Sequence, residues 1–547
     1  MNKRNLALIL ILLALGCFPL QSLGADQPTQ TQASVHCPPL DPPSGNIVNV
    51  DTVAELENAV NTSPSGSTIL IADGTYDLHG VYLWFATPNV TLRSASGNRD
   101  AVVIDGNYDE TTGEIITIAA SDVTIADLTL QRAYTHPIHV VATASADTTG
   151  ALIYNLHIID PAEQAIKINP DQDRTHFPDD GEVACSHIEL TDAGRPHIRN
   201  NCYTGGVDAH QAWGWTIRDN LIEGFWCEYG FSEHGIHFWT GSRDTLTQRN
   251  VLVDNARGVG YGLGDSDAGR AYPDDPCSGA SYVGHYDGII RNNFIFAARD
   301  ELFSSEYSFD CGICLAQACG TQVLHNTVAS TQAPFSSIEW RFADTDVDLI
   351  NNLVSHNLQD RGGAAFLDGN LQNASLALFE DGAGGDLHLV ASASAAIDQG
   401  ATLAAGLCDD DFDGDARPSG SGRDIGADEY TVAAPAAVTD LFVTHAVSGG
   451  GLLTATLRWS APADAVTYTL RYDATAINDA NWDSATDIPV LFGAAAPGAT
   501  ETLDASIPFA DELHLALKSQ NAGGDWSALS NNAFWPYLNV WLPCITR

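Results

Sequence analysis

Lys167, His210, His237 and Arg341 combine a cation, two imidazoles and a guanidinium, and their spacing places them on one strip. The phase comes from seven apolar pairs: Ile138/Val140, Ile166/Ile168, Val207/Ala209, Ile236/Phe238, Val259/Tyr261, Ile313/Leu315 and Ile338/Trp340. Side chains alternate faces along a strand, so the residues between and just after each pair point outward. One column then reads His139, Lys167, Asp208, His237, Gly260, Cys314, Glu339, and a second reads Val141, Asn169, His210, Trp239, Gly262, Ala316, Arg341. Such a set suits proton abstraction next to a carboxylate. Lys167 or His237 is the expected base, Arg341 or a bound Ca²⁺ the neutralising cation, and His210 the proton donor.

His139, Asn169, Asp208, Trp239, Glu339 and Arg243 are the expected substrate contacts around these four catalytic candidates. Polar residues are ordinary on an outward strand face, but three histidines, a tryptophan and two glycines are not. Gly260 and Gly262 are expected to leave an open saddle. Insertions at 170–183, 193–205 and 262–288 flank the strip, and long loops within a solenoid are commonly functional. The run Ser232-Glu233-His234 precedes a strip strand and is placed to reach the same face.

Elements that hold such a strip must repeat. Asp127, Asn155, His187, Asn220, Asn250, Asn293, Asn326 and Asn352 each precede a short apolar alternation, at steps of 28, 32, 33, 30, 43, 33 and 26 residues. Recurrence near that period with two-residue alternation predicts a β-solenoid, in which stacked asparagines satisfy one another's amides. Asp51 or Thr52 caps a short amphipathic helix ahead of the strand containing Asp73-Gly-Thr-Tyr76. That order resembles the N-terminal cap and first coil of the pectin-lyase-like right-handed parallel β-helix superfamily. The resemblance spans about residues 46–430 and implies the fold, whereas no complete catalytic motif of any one family is present.

Residues 25–45 form a Pro-rich leading segment, 46–430 the β-helix with its cap and Asp-rich closing segment, and 535–547 a tail. In the closing segment Asp409, Asp411, Asp413 and Asp415 alternate around Gly414 and are candidate Ca²⁺ ligands. Short alternating strands over 436–534 resemble a fibronectin type III domain, an all-β sandwich to which no chemistry is assigned. At 547 residues the chain exceeds one compact core.

Lys3 and Arg4, an apolar run from Leu6 and Ser22-Leu-Gly24 read as a signal peptide over 1–24, with lipidation at Cys17 as the alternative. Ten further cysteines favour disulfides; Cys311, Cys314 and Cys319 are alternatively a thiolate metal cluster. A net charge of −45 with three lysines excludes nucleic acid and anionic membranes as partners, and no stretch beyond the signal is long enough to span a bilayer. The expected protein is secreted or extracellular, attached or not to the cell surface, and monomeric, with a polysaccharide partner. The favoured activity is cleavage of a uronate-containing glycan by β-elimination. The alternatives are a non-catalytic glycan-binding or adhesive protein, where Trp213, Trp215, Phe225 and Trp226 stack on sugars, a C5-epimerase, or a glycoside hydrolase.

Overall fold

The computed structural model describes residues 37–264, 269–431, 434–489, 493–508, 510, 512–521 and 525–535. The expected signal and all of the tail but Trp535 lie outside the described residues. The chain winds through three sheets in fixed order: Leu152–Tyr154 in sheet 1, His157–Ile159 in sheet 2, Gln164–Asn169 in sheet 3, then Glu182–Ala184 back in sheet 1. Each strand pairs in parallel with its counterpart one coil on, which makes a right-handed parallel β-helix. The apolar pairs face inward as expected, with Ile138, Ile166, Val207, Ile236, Val259, Ile313 and Ile338 wholly buried. Burial of each such side chain stabilises the solenoid by about 1.5–3 kcal/mol.

An asparagine column runs along the bend between sheets 1 and 2. The Nδ2 of Asn220 donates to Oδ1 of Asn250 at 3.0 Å, and the same bond links Asn250 to Asn293, Asn293 to Asn326, Asn326 to Asn352 and, one coil past the expected end, Asn352 to Asn370. The second amide hydrogen goes to a carbonyl of the preceding coil, as from Asn250 to Ile217. The first three expected positions are corrected. Strand register aligns Ser186 with Asn220, so His187 lies one residue late and Asn155 and Asp127 one early. Asp127 and Asn155 instead join Cys185, Asp219, Arg249, Asn292, His325 and Asn351, all at φ between 49° and 59°. That is the left-handed turn conformation, which short polar side chains tolerate best.

A helix over Val53–Thr62 closes the N-terminal end. Thr52 accepts the Glu55 N–H at 3.3 Å, and the Glu55 carboxylate accepts the Asp51 N–H at 3.1 Å, a reciprocal cap. Ahead of it, residues 37–45 form a strap over the outer face of sheet 1. Ser44 accepts from Thr68, Asp41 from Arg93 and Pro38 from Tyr154, progressively further along the solenoid, and Cys37 bonds to Cys185.

After the solenoid come two antiparallel sheets. Three strands, Phe442–Gly449, Leu452–Ser460 and Thr500–Pro508, make one. Thr486–Ile488, Thr467–Asp473, Leu513–Gln520 and Ala533–Trp535 make the other. Trp459, Tyr468 and Leu515 pack in their shared core, as in a β-sandwich.

Further disulfides join Cys202 to Cys227, Cys277 to Cys319 and Cys311 to Cys314. Cys319 is thereby withdrawn from the expected thiolate cluster, and Cys408 stays a buried thiol. Disulfides of this number fit an oxidising, extracellular compartment. No helix among the described residues is long and apolar enough to cross a membrane.

Candidate functional site

Both outward columns of sheet 3 have the expected register. His139 pairs with Lys167, Lys167 with Asp208, Asp208 with His237, His237 with Gly260, Gly260 with Cys314 and Cys314 with Glu339. Asn169, His210, Trp239 and Arg341 stand two residues beyond, in line. The expectation that the first column faces water is corrected: Lys167, Asp208, His237 and Glu339 are 5% exposed or less. Connecting segments cover them. The insertion at 193–205 lays Tyr203 over Lys167, and the segment before Ile236–Trp239 brings Glu233 and His234 down onto His237. His139, Asn169, His210 and Trp239 remain half-buried and line the accessible side.

Lys167 is the hub. Its Nζ donates to Asp208 Oδ2, to the Tyr203 hydroxyl at 2.9 Å and lies 3.1 Å from His210 Nε2. Burial works against the ammonium, but Asp208 and Tyr203 outweigh it and push its pKa up to about 12. Lys167 is therefore a fixed cation and not a base at neutral pH. Asp208 is buried too, yet Lys167 and its imidazole neighbours hold its carboxyl well below the usual range. Its second oxygen accepts the Trp239 indole N–H at 2.9 Å. Burial lowers the pKa of His210 and raises that of Tyr203, each only partly offset by its charged neighbours, so a neutral imidazole and a protonated phenol flank the ammonium.

His237 is the opposite case. Its Nδ1 sits 3.4 Å from both Asp208 Oδ1 and Glu233 Oε2, and its Nε2 donates to the Gly262 carbonyl at 3.2 Å. Burial opposes the charge, but the two carboxylates raise its pKa to about 8. The His234 ring lies 4.2 Å away, and burial together with that cation drives its pKa well below the ordinary value. Gly260 is no open saddle: a Cβ there would stand 2.5 Å from His234 Nε2, so the glycine makes room for that ring. Gly262, at φ +75°, is filled by the Ala316 carbonyl of the next coil.

One coil before Lys167, His139 Nδ1 meets Glu114 Oε1 at 2.8 Å, and the Asn169 amide reaches its Nε2 at 3.3 Å. Behind them His136 faces Glu163 at 3.6 Å; burial pulls the histidine down to about 4 and pushes the glutamic acid up. Tyr203, Glu114 and Glu163 were not singled out from the sequence, because they sit in turns outside the strand alternation.

Other expected members are elsewhere. Arg341 and Glu339 lie five coils from Lys167, about 24 Å at the usual strand spacing. There Arg361 grips Glu339 at 2.8 and 3.0 Å, with Arg341 3.8 Å away. Arg243 is clamped bidentately to Asp274 at 2.8 Å against Trp213 and Tyr272, outside sheet 3. Trp215, Phe225 and Trp226 are buried and unable to stack on a sugar, whereas Trp213 is exposed.

The four aspartates of the closing segment each meet protein donors or charges. Asp411 is buried and accepts the N–H groups of Asp413, Asp415 and Glu429. Asp409 accepts from Gly406 and Arg423, Asp413 pairs with His388 at 3.0 Å, and Asp415 accepts from Thr431. These contacts lock the end of the solenoid.

No protein-family model and no curated protein matches the chain. Among solved structures it is similar to the pectate lyase Pel9A, at 14% identity over 71% of this chain and 98% of that one, with a TM-score of 0.44. An alginate lyase from Paenibacillus sp. str. FPU-7 aligns at 14% identity over 60% of this chain and all of its own, with a TM-score of 0.40. A polygalacturonase from Erwinia carotovora ssp. carotovora aligns at 11% identity over 60% of this chain and 96% of its own, with a TM-score of 0.34. At these identities and scores, substrate and reaction have to be argued from this chain's own residues.

Proposed function

We infer that this chain is a polysaccharide lyase that cleaves a uronate-containing glycan by β-elimination. What carries the reading is the arrangement around Lys167 Nζ: a neutral imidazole 3.1 Å and a protonated phenol 2.9 Å from a fixed ammonium. β-Elimination needs those three functions. A base takes the proton α to the carboxylate, the C–O bond to the leaving sugar breaks as the ring double bond forms, and an acid returns a proton to the leaving oxygen.

In this assignment His210 Nε2, which accepts from the Lys167 ammonium 3.1 Å away in the resting site, gives up that contact and takes the substrate proton. Tyr203 protonates the leaving oxygen. Lys167 is a positioning residue, holding both groups and placing positive potential behind the enolate that develops. The roles thus move from those the sequence suggested: His210 from donor to base, and Lys167 and His237 from base to buried cations. The overall charge of −45 disfavours a polyanion at long range, so the local cations and screening salt matter for capture.

The test is turnover of pectate, alginate and chondroitin with and without Ca²⁺, read by the ultraviolet absorbance of an unsaturated uronate. His210→Ala and Tyr203→Phe should each lower kcat by about 10²–10⁴-fold with circular dichroism unchanged. Arg341→Ala, five coils away, should stay within about threefold of the parent rate. Wild-type rates in Tyr203→Phe, or inertness of the parent on all three glycans, sinks the reading; inversion at C5 without unsaturation would make it an epimerase.

A further inference from the structure

The outer face of sheet 2 carries a second polar cluster that shares no residue with the Lys167 site. Register stacks His157 on His187, and Ile159 on Glu189 on Glu223. Each imidazole leans onto the carboxylate one coil further along. His157 Nε2 lies 2.8 Å from Glu189 Oε1, and His187 Nε2 lies 2.7 Å from Glu223 Oε1. The two rings stack with centroids 4.6 Å apart and 10° between their planes. Ligand atoms of His157, His187 and Glu189 fall within 4.8 Å of one another. The four side chains keep 20–21% of their surface exposed, and a cavity of about 670 Å³ with Asp100 in its wall opens beside His187.

Neutral imidazole is the form that ligates a metal, and two imidazole nitrogens with one carboxylate oxygen make a three-donor set that leaves a fourth position to water. We propose that His157, His187 and Glu189 bind a transition-metal dication, zinc above all, that clamps neighbouring coils of sheet 2. The imidazoles select against Ca²⁺, which takes oxygen ligands. The proposal stands independently of the lyase reading.

The experiment titrates metal-stripped full-length protein with zinc chloride by calorimetry, in parent and His157→Ala/His187→Ala forms. One equivalent should bind to the parent, and the double variant should lose at least about tenfold in affinity while retaining its circular dichroism spectrum and its rate on any glycan the parent cleaves. Absence of stoichiometric uptake by the parent, or uptake that survives the double variant, overturns the proposal. Should the variant fail to fold, electron paramagnetic resonance of the Cu²⁺-loaded parent decides: two imidazole nitrogens on copper uphold the site, and none overturns it.

Discussion

The asparagine column at the bend of sheets 1 and 2 and the outward column of sheet 3 are built alike, one polar side chain per coil in strict register. Their contents differ. From Asn220 to Asn370 every member is the same residue, and each amide is satisfied by the next, so no member alters the ionisation of another. From His139 to Glu339 no two adjacent members match, and the charged ones shift their neighbours: Lys167 holds Asp208 ionised, Asp208 and Glu233 hold His237 protonated, and burial together with His237 keeps His234 neutral. Repetition of one residue type builds a beam; variation at the same spacing builds a charge network, and such networks are where chemistry is found.

The contrast breaks most severely at Asp208. Its carboxylate faces Lys167, His210, His237 and Trp239, so Asp208→Ala leaves buried positive charge unpaired and should cost about 3–5 kcal/mol in urea unfolding, with loss of turnover. Asn293→Ala removes one member of a neutral ladder. It should cost about 1–3 kcal/mol for the stranded amides of its neighbours and leave any turnover by the folded protein unchanged, separating beam from network.

The subtlest distinction is in pH. His237 has its folded pKa raised to about 8 from 6.5, so its contribution is complete below 6.5 and is lost as pH rises through about 8. Unfolding of the parent should therefore weaken by about 2 kcal/mol more than that of His237→Gln between about pH 6 and 9. An identical slope in both proteins would mean that folding does not raise the pKa of this imidazole. No such difference should attend an asparagine-column variant.

Much of this was legible in the chain. Inward apolar pairs set the phase of sheet 3, and a one-residue slip would have reversed every side chain, so His139, Lys167, Asp208 and His237 fell into line correctly. The bend was harder to read. Two adjacent positions there favour polar residues for different reasons, the left-handed turn and the stacked amide, and only pairing tells Asp127 and Asn155 from Asn220. Exposure was not legible at all. Tyr203, Glu233 and His234 arrive from segments without a period, and their covering of the column converts a surface lysine into a buried cation. The aspartates around Gly414 had the composition of a metal loop, but their partners Arg423, His388 and Glu429 come from elsewhere in the chain.

The strap over sheet 1 decides where tension enters the molecule. Cys37 is bonded to Cys185, 148 residues downstream, so the cap helix and the first coils lie inside a covalent loop. A pull on the chain ahead of Cys37 bypasses that loop and loads the middle of the solenoid in shear across many parallel strands. Peeling from the capped end, the easier failure for a stack of coils, requires a reductant first.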